Sequence, residues 1–301
     1  MRSSFVHTPS AEAKDRMAIW CSKLGISGIS SHYHYRPTLP SLFRCLSITA
    51  HSSSSGDSNA RTLTPILQTL SPRQKEQISL YVDALLQWNQ RMNLTAVTQE
   101  SEVLTRHVED SLAIIPTLQR SYLSHCNPTS SYDGIDVIDV GSGAGLPGLI
   151  LAIACPSWKV TLLESMRKRC LFLEHAVSYS GLTNVQILHE RAENVGQNVA
   201  FRERFDVAVA RAVAELRILA EYCIPLVRVG GLFIAAKGYH PQEEVKNAEK
   251  AIHLMGASIS ELSYVESYSP LGQRTAVICL KNRATPRKYP RQPGTPSKMP
   301  L

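Results

Sequence analysis

The chain has 301 residues, 44% hydrophobic and 19% charged, a composition that supports a sizeable core and excludes an intrinsically disordered protein. No apolar run approaches the length needed to span a bilayer, so no membrane association is expected. The formal net charge of +7 suggests a polyanionic partner, yet residues 1–60 hold six Lys or Arg against three acids and residues 281–301 hold six against none, which leaves the body slightly acidic.

Residues 1–60 read as a leader, Ser-rich (Ser52–Ser55), with scattered Arg and no continuous apolar stretch of the secretory kind. That composition fits an organellar transit peptide of a plant; the serine content favours the chloroplast, with the mitochondrion as the alternative. Residues 61–133 read as a helical cap and linker. Ser71-Pro72 supplies a hydroxyl N-cap and a proline at the first helical position. Ile78, Tyr81, Val82, Leu85 and Leu86 then recur at helical spacing. After a turn at Arg91–Thr95, a second helix is expected from Glu100, with Leu104, Val108, Leu112 and Ile115 as its buried stripe and Pro116 as its end. Ser124–Asp133, rich in Ser, Asn and Pro, reads as the linker.

Residues 134–281 alternate short apolar strands with amphipathic helices. Strands are expected at Ile135–Val140, Lys159–Leu163, Val185–Leu188, Asp206–Ala210, Gly231–Ala236, Ile259–Val265 and Ala276–Leu280. Helices are expected at Gly148–Cys155, Met166–Ser180, Ala214–Leu226 and Pro241–Met255. Continuous apolar strands in β–α alternation imply a parallel sheet covered on both faces. The last two strands leave no room for a helix and must form a hairpin. Such a seven-stranded, mostly parallel α/β sheet resembles the class I, Rossmann-like methyltransferase fold. Residues 282–301, basic and Pro-rich, cannot fold alone. They read as an RNA-backbone contact that orders on a ribosome or on the protein's own surface, or else as a disordered solubilising end.

The chemistry concentrates in Asp139-Val-Gly141-Ser-Gly143-Ala-Gly145-Leu146-Pro-Gly148. Gly143, Gly145 and Gly148 satisfy the Gly-x-Gly-x-x-Gly pattern between a strand and a helix. The pattern alone leaves nicotinamide, flavin and methyl-donor cofactors open. A carboxylate at Asp139 would repel a pyrophosphate seated on the helix N-terminus. S-adenosylmethionine carries no phosphate and is cationic at its sulfonium and amino groups, so Asp139 favours that cofactor over an NAD(P)-dependent oxidoreductase. Glu164 ends the second strand where a carboxylate can accept ribose hydroxyls, although pairing with Arg167-Lys-Arg169 is an alternative. Ala192 and Glu193 follow the third strand, where an adenine would lie, or Glu193 simply starts a helix. The seven cysteines show no Cys-x-x-Cys spacing, so no zinc or other metal site is expected.

Taken together, Trp88-Asn-x-x-x-Asn-Leu-Thr95, Arg106-His-x-x-Asp-Ser111, the glycine run, Arg191-Ala-Glu193, Arg211-Ala212, Lys237-Gly238 and the tail Pro286–Pro296 resemble the bacterial 16S rRNA guanine-N7 methyltransferase family (glucose-inhibited division protein B), from about Leu70 onward. The resemblance implies methyl transfer from S-adenosylmethionine to N7 of a guanosine, with small-subunit rRNA or the small ribosomal subunit as partner and the protein acting as a monomer. It places Gly141 and Leu146 against the donor, Ala192 and Glu193 at the adenine, and Arg211 at the edge of the donor site. Arg211 and Lys237 close the fourth and fifth strands and are candidates to orient the base, with simple ion pairing as the alternative. A ribosome-assembly factor that keeps the fold without catalysis is a further alternative. His107 and Asp110 read as a joint between cap and sheet, and Trp88 as packing.

Overall fold

The computed structural model describes residues 65–126, 133–265 and 273–301; the expected leader and most of the expected linker lie outside them. Residues 59–301 form one compact unit. The seven strands are β1 Asp136–Val140, β2 Lys159–Glu164, β3 Val185–His189, β4 Phe205–Arg211, β5 Val227–Lys237, β6 Ala257–Val265 and β7 Arg274–Lys281. They lie in the order β3-β2-β1-β4-β5-β7-β6. β1 to β5 pair in parallel, and β7 inserts antiparallel between β5 and β6. This is the Rossmann-like sheet of class I methyltransferases, with its order reversing between β1 and β4.

Successive strand residues face opposite layers. Val137, Leu162, Val209 and Ile234 join the core under α1 (Pro72–Asn89), α3 (Ile114–His125), α4 (Gly148–Ala154) and α5 (Arg167–Tyr179), with α2, the helical run over 100–112, beside them. Ile138, Leu163, Ala210 and Phe233 join the core under α7 (Leu216–Cys223) and α8 (Gln242–Met255). The short helix α6 (Ala192–Gln197) follows β3. Its single turn and a half was too brief to register as helical periodicity.

Several boundaries depart from the sequence reading. Pro116 does not end a helix; it sits in the first turn of α3, where its missing N–H has no intrahelical partner to lose. The preceding run α2 instead passes through a π-helical turn at Leu104–Glu109. α3 continues to His125, into the stretch expected as linker. β5 starts at Val227, ahead of Gly230-Gly231, because those glycines make a bulge in which β5 runs from Val227 to Leu232 against Phe205 to Val207 of β4.

α1 is expected from its cap and forms it: Gln74 N–H donates to Ser71 Oγ (3.3 Å) and Ser71 N–H donates to Gln74 Oε1 (2.9 Å). Its apolar stripe packs on the sheet-covering helices, with Trp88 edge-on to Phe172 at 5.8 Å. Its polar side chains satisfy helix ends that would otherwise be orphaned. Gln74 donates to the carbonyls of Ile153 (2.9 Å) and Ala154 (3.0 Å), Gln77 to that of Ser180 (3.0 Å). Tyr81 is 1% exposed, and its hydroxyl donates to Ala144 O in the glycine loop at 2.8 Å. The cap is thus bonded to the loop.

The tail is neither free nor disordered. Arg202 donates to the carbonyls of Thr285 (2.7 Å), Pro286 (3.2 Å) and Tyr289 (2.8 Å). Arg291 pairs with Glu221, and Lys281, 1% exposed, donates to Glu203 at 2.8 Å. Burial pulls the Lys281 pKa down to about 8. Two of the tail's five cations, Arg291 and Arg283, therefore serve internal contacts, since Arg283 also donates to His253 O (2.7 Å). Arg287, Lys288 and Lys298 stay exposed.

Replacing Tyr81 with Phe removes the buried bond to Ala144 and leaves its carbonyl without that donor, which should cost about 1–2 kcal/mol. Urea denaturation should show a lower midpoint at an unchanged slope.

Candidate functional site

The loop between β1 and α4 is held from beneath by backbone and carboxylate bonds. Gly141 and Ser142 N–H both donate to Leu163 O, at 2.8 and 3.1 Å. Glu164, 3% exposed, accepts from Gly143 N–H at Oε2 (2.9 Å) and from Met166 N–H at Oε1 (2.7 Å). Arg169 stands 3.6 Å from it. Glu164 is therefore a buried acid at the floor of the site, with the expected surface pairing as a secondary contact.

Three linked cavities open along the carboxyl edge of the sheet, beside the point where strand order reverses. The central one, of about 420 Å³, is lined by Gly141, Gly143, Leu146, Glu164 and Arg211 among others. A second of about 250 Å³ is walled by Glu190, Ala192, Glu193, Tyr222 and Ser297, and it shares Gly141, Ser165 and Val213 with the central one. A third of about 290 Å³ is lined by His107, Asp110, Lys237, Arg274 and Thr275, and it shares His107, Arg211 and Ala212 with the central one. Arg211 stands at the junction, its Nη1 donating to His107 O at 3.4 Å.

The model of the family described as rRNA small subunit methyltransferase G matches residues 74–270. The ribosomal RNA small subunit methyltransferase G of Bacillus cytotoxicus is 42% identical over 233 residues, which covers 77% of this chain and 93% of that protein. Its counterpart from Bacillus thuringiensis (strain Al Hakam) is 41% identical over the same shares. The chain belongs to this family. Among solved structures, a Methanococcus jannaschii fibrillarin pre-rRNA processing protein aligns at 16% identity and a TM-score of 0.41, over 50% of this chain and 68% of that one.

The methyl donor of the family is S-adenosylmethionine, and the first two cavities fit it. Gly143 has φ +58° and lines the central cavity, and a Cβ there would meet only Gly141 O within 4 Å. Glu164 offers a carboxylate floor suited to hydroxyl groups. Gly141, Gly143, Leu146, Glu164 and Arg211 come together as the sequence suggested, and Ala192 and Glu193 share the neighbouring lobe.

Two of the expected donor contacts lie elsewhere. Asp139 is 1% exposed, and its Oδ2 accepts from Gly148 N–H at 2.9 Å beneath the loop. It anchors the first turn of α4 rather than lining a cavity. The carboxyl thus sits at the N-terminus of α4, where a dinucleotide would place its pyrophosphate. Gly145 packs against the Leu149 side chain, which a Cβ would strike, so it serves the turn rather than the ligand.

Other side chains are committed differently from the sequence reading. Glu193 Oε1 accepts from Gly294 N–H (2.8 Å) and Arg191 Nη2 (3.1 Å). Burial pushes its carboxyl up, but those hydrogen bonds hold it below the ordinary glutamate value. Lys237 lines the third cavity while its ammonium donates to Glu244 Oε1 (2.6 Å) and Ala214 O (2.9 Å), which ties down the loop after β4. Its ammonium is thus committed to that loop rather than free for a base. Asp110 accepts from Arg274 Nε at 3.0 Å, a joint between α2 and β7. His107 Nδ1 faces Arg106 O (3.0 Å) and Nε2 faces the Thr95 hydroxyl (2.7 Å). Burial and then the Arg211 charge lower its pKa to about 4, so the ring is neutral at physiological pH. A carbonyl can only accept, so Nδ1 carries the proton and Nε2 accepts from Thr95. Sequence reasoning missed Thr95, Tyr222, Arg274 and Ser297 as lining residues; only the Asn-Leu-Thr95 motif carried a signal for any of them.

Gly143→Val forces a β-branched residue to positive φ and fills the cavity, and it should weaken donor binding by roughly tenfold or more in calorimetry. Gly148→Ala is expected to fail earlier, as a lowered Tm, because its Cβ would lie 2.7 Å from Asp139 Oδ2.

Burial raises the Asp139 pKa from 3.8 to about 7. The folded state then holds a proton that the unfolded state has released, and stability falls as pH rises from about 4 to about 7, by at most ~1.4 kcal/mol per pH unit. Asp139→Asn keeps an acceptor for Gly148 N–H and should remove that slope in urea titrations at pH 5, 6 and 7. A slope unchanged by the substitution would assign it to other groups.

Proposed function

We propose that this protein transfers a methyl group to N7 of a guanosine in small-subunit, 16S-type ribosomal RNA, with the base seated in the cavity lined by His107, Asp110, Arg211 and Arg274. The observation that carries this reading is the state of the titratable groups there. His107 is neutral with both ring nitrogens engaged, and Asp110 is held by Arg274. Neither is poised to take a proton from a substrate. Guanine N7 has an in-plane lone pair and no proton to lose, so its methylation needs no general base. S-adenosylmethionine, when bound, supplies an electrophilic methyl on a sulfonium.

The residues of this chain then act by orientation. Arg211 stands between donor and acceptor cavities, where its guanidinium can donate to guanine O6 and turn N7 toward the central cavity. Glu244 and Lys237 keep the loop after β4 beside it. Such chemistry calls for no metal, and we take the enzyme to work as a monomer.

The test is to incubate the protein with donor and small ribosomal subunits or naked rRNA, and to map the product by mass spectrometry. N7-methylguanosine at one position is expected, and Arg211→Ala should lower kcat by roughly 10²-fold. A methyl group on carbon or on an exocyclic amine would overturn the N7 assignment.

The Ser-rich, weakly basic composition of residues 1–60 supports import into a chloroplast, with the mitochondrion as the alternative. A fusion of these residues to a fluorescent protein should enter plastids. Fluorescence left in the cytosol would overturn that placement.

A further inference from the structure

We propose that the C-terminal segment is a working wall of the donor site: residues 285–298 form a strap that fixes Glu193 and closes the lobe where the donor's nucleoside end sits. This rests on the assignment of the first two cavities to S-adenosylmethionine.

The strap has almost no regular structure of its own beyond the turn Thr295–Lys298, so its course is set by what it is bonded to. At its start, Thr285 N–H donates to Glu203 Oε1 (2.7 Å) and its hydroxyl to Met255 O (2.6 Å). Midway, Gln197 at the end of α6 donates to Pro290 O at 2.6 Å. Pro290 packs against Gly196 so closely that a Cβ there would lie 2.7 Å from the proline ring. Arg291 then grips Glu221 of α7 with three donors, Nε to Oε1 (2.9 Å), Nη2 to Oε2 (2.7 Å) and its own N–H to Oε1 (2.7 Å). Three residues later, Gly294 N–H reaches Glu193, and Ser297 joins the wall of the second cavity.

The electrostatics show why the strap matters to the cavity. Glu221 is 1% exposed and Glu193 3%. A buried carboxylate is tolerated only when it is paired or hydrogen-bonded. Glu221 receives its guanidinium from the strap, and Glu193 receives a backbone donor from it. Without residues 293–301, Glu193 keeps Arg191, which is half exposed, and its own backbone N–H. The acid that begins α6 then loses its fixed direction, and the lobe loses the side closed by Ser297. The strap acts through Glu193 and is a positioning element.

A chain ending at Gln292 keeps the Arg291–Glu221 grip and removes the Gly294 and Ser297 contacts, together with buried Pro296 and the packing of Leu301 on the core under α7 and α8. Its affinity for S-adenosylhomocysteine, measured by calorimetry, should fall roughly tenfold, while its affinity for naked rRNA stays unchanged. In turnover assays the donor KM should rise with no loss of kcat at saturating donor. Ser297→Trp, which crowds the lobe from an exposed position, should weaken the same ligand with little change in Tm, and it decides the matter if the shortened chain proves unstable. Full affinity for S-adenosylhomocysteine in either folded variant would overturn the strap's role. Failure of the intact protein to bind S-adenosylhomocysteine would instead overturn the donor-site assignment itself.

Discussion

A single buried contact, Asp139 Oδ2 to the N–H of Gly148, sets the geometry on which the rest of the site depends. A glycine-rich loop has little stiffness of its own, since each glycine widens the backbone's choices. Here its far end is pinned to the strand it leaves. Once that turn is fixed, Gly141 and Ser142 fall within reach of Leu163 O, Gly143 reaches Glu164, and Ala144 presents its carbonyl to Tyr81. The loop is defined by partners on β1, β2 and the helical cap at once.

The same device recurs. Glu164, Glu193, Glu203 and Glu221 each accept a backbone N–H from a segment that has no sheet or long helix to hold it. Carboxylates at the margins of the core thus do for loops what strand pairing does for the sheet. The positive charge around the third cavity is arranged differently. Arg274 is balanced by Asp110 and Lys237 by Glu244, whereas Arg211 meets a carbonyl rather than a carboxylate at 3.4 Å, leaving its charge directed at the junction.

Much of this was legible in the sequence because it is periodic or local. The seven strands announced themselves as apolar runs, and the start of α1 as the N-cap Ser71 followed by Pro72. The glycine loop and Glu164 followed from a motif whose residues are near neighbours in the chain. What the sequence could not convey was direction and distant pairing. Asp139 stands two residues before the loop, yet it turns beneath it, because the unoccupied amide of Gly148 lies there. Pro116 looked like a helix end because proline is excluded from helix interiors, a rule that does not apply in the first turn. The tail's basic residues looked available to RNA because their acidic partners, Glu203 and Glu221, lie roughly 70 to 80 residues upstream.

Both α1 and the last described residues meet this region, α1 through Tyr81 on Ala144 and the later segment through Gly294 on Glu193. Synthesis runs from one end to the other, so the sheet, the glycine loop and the helical cap are all made before the last wall is. A growing chain has the cofactor fold but an open lobe until residues 294–297 have left the exit tunnel. Emergence of this segment is in this sense a late step in building the pocket, and a copy cut short before Gly294 would be a weak competitor for the methyl donor.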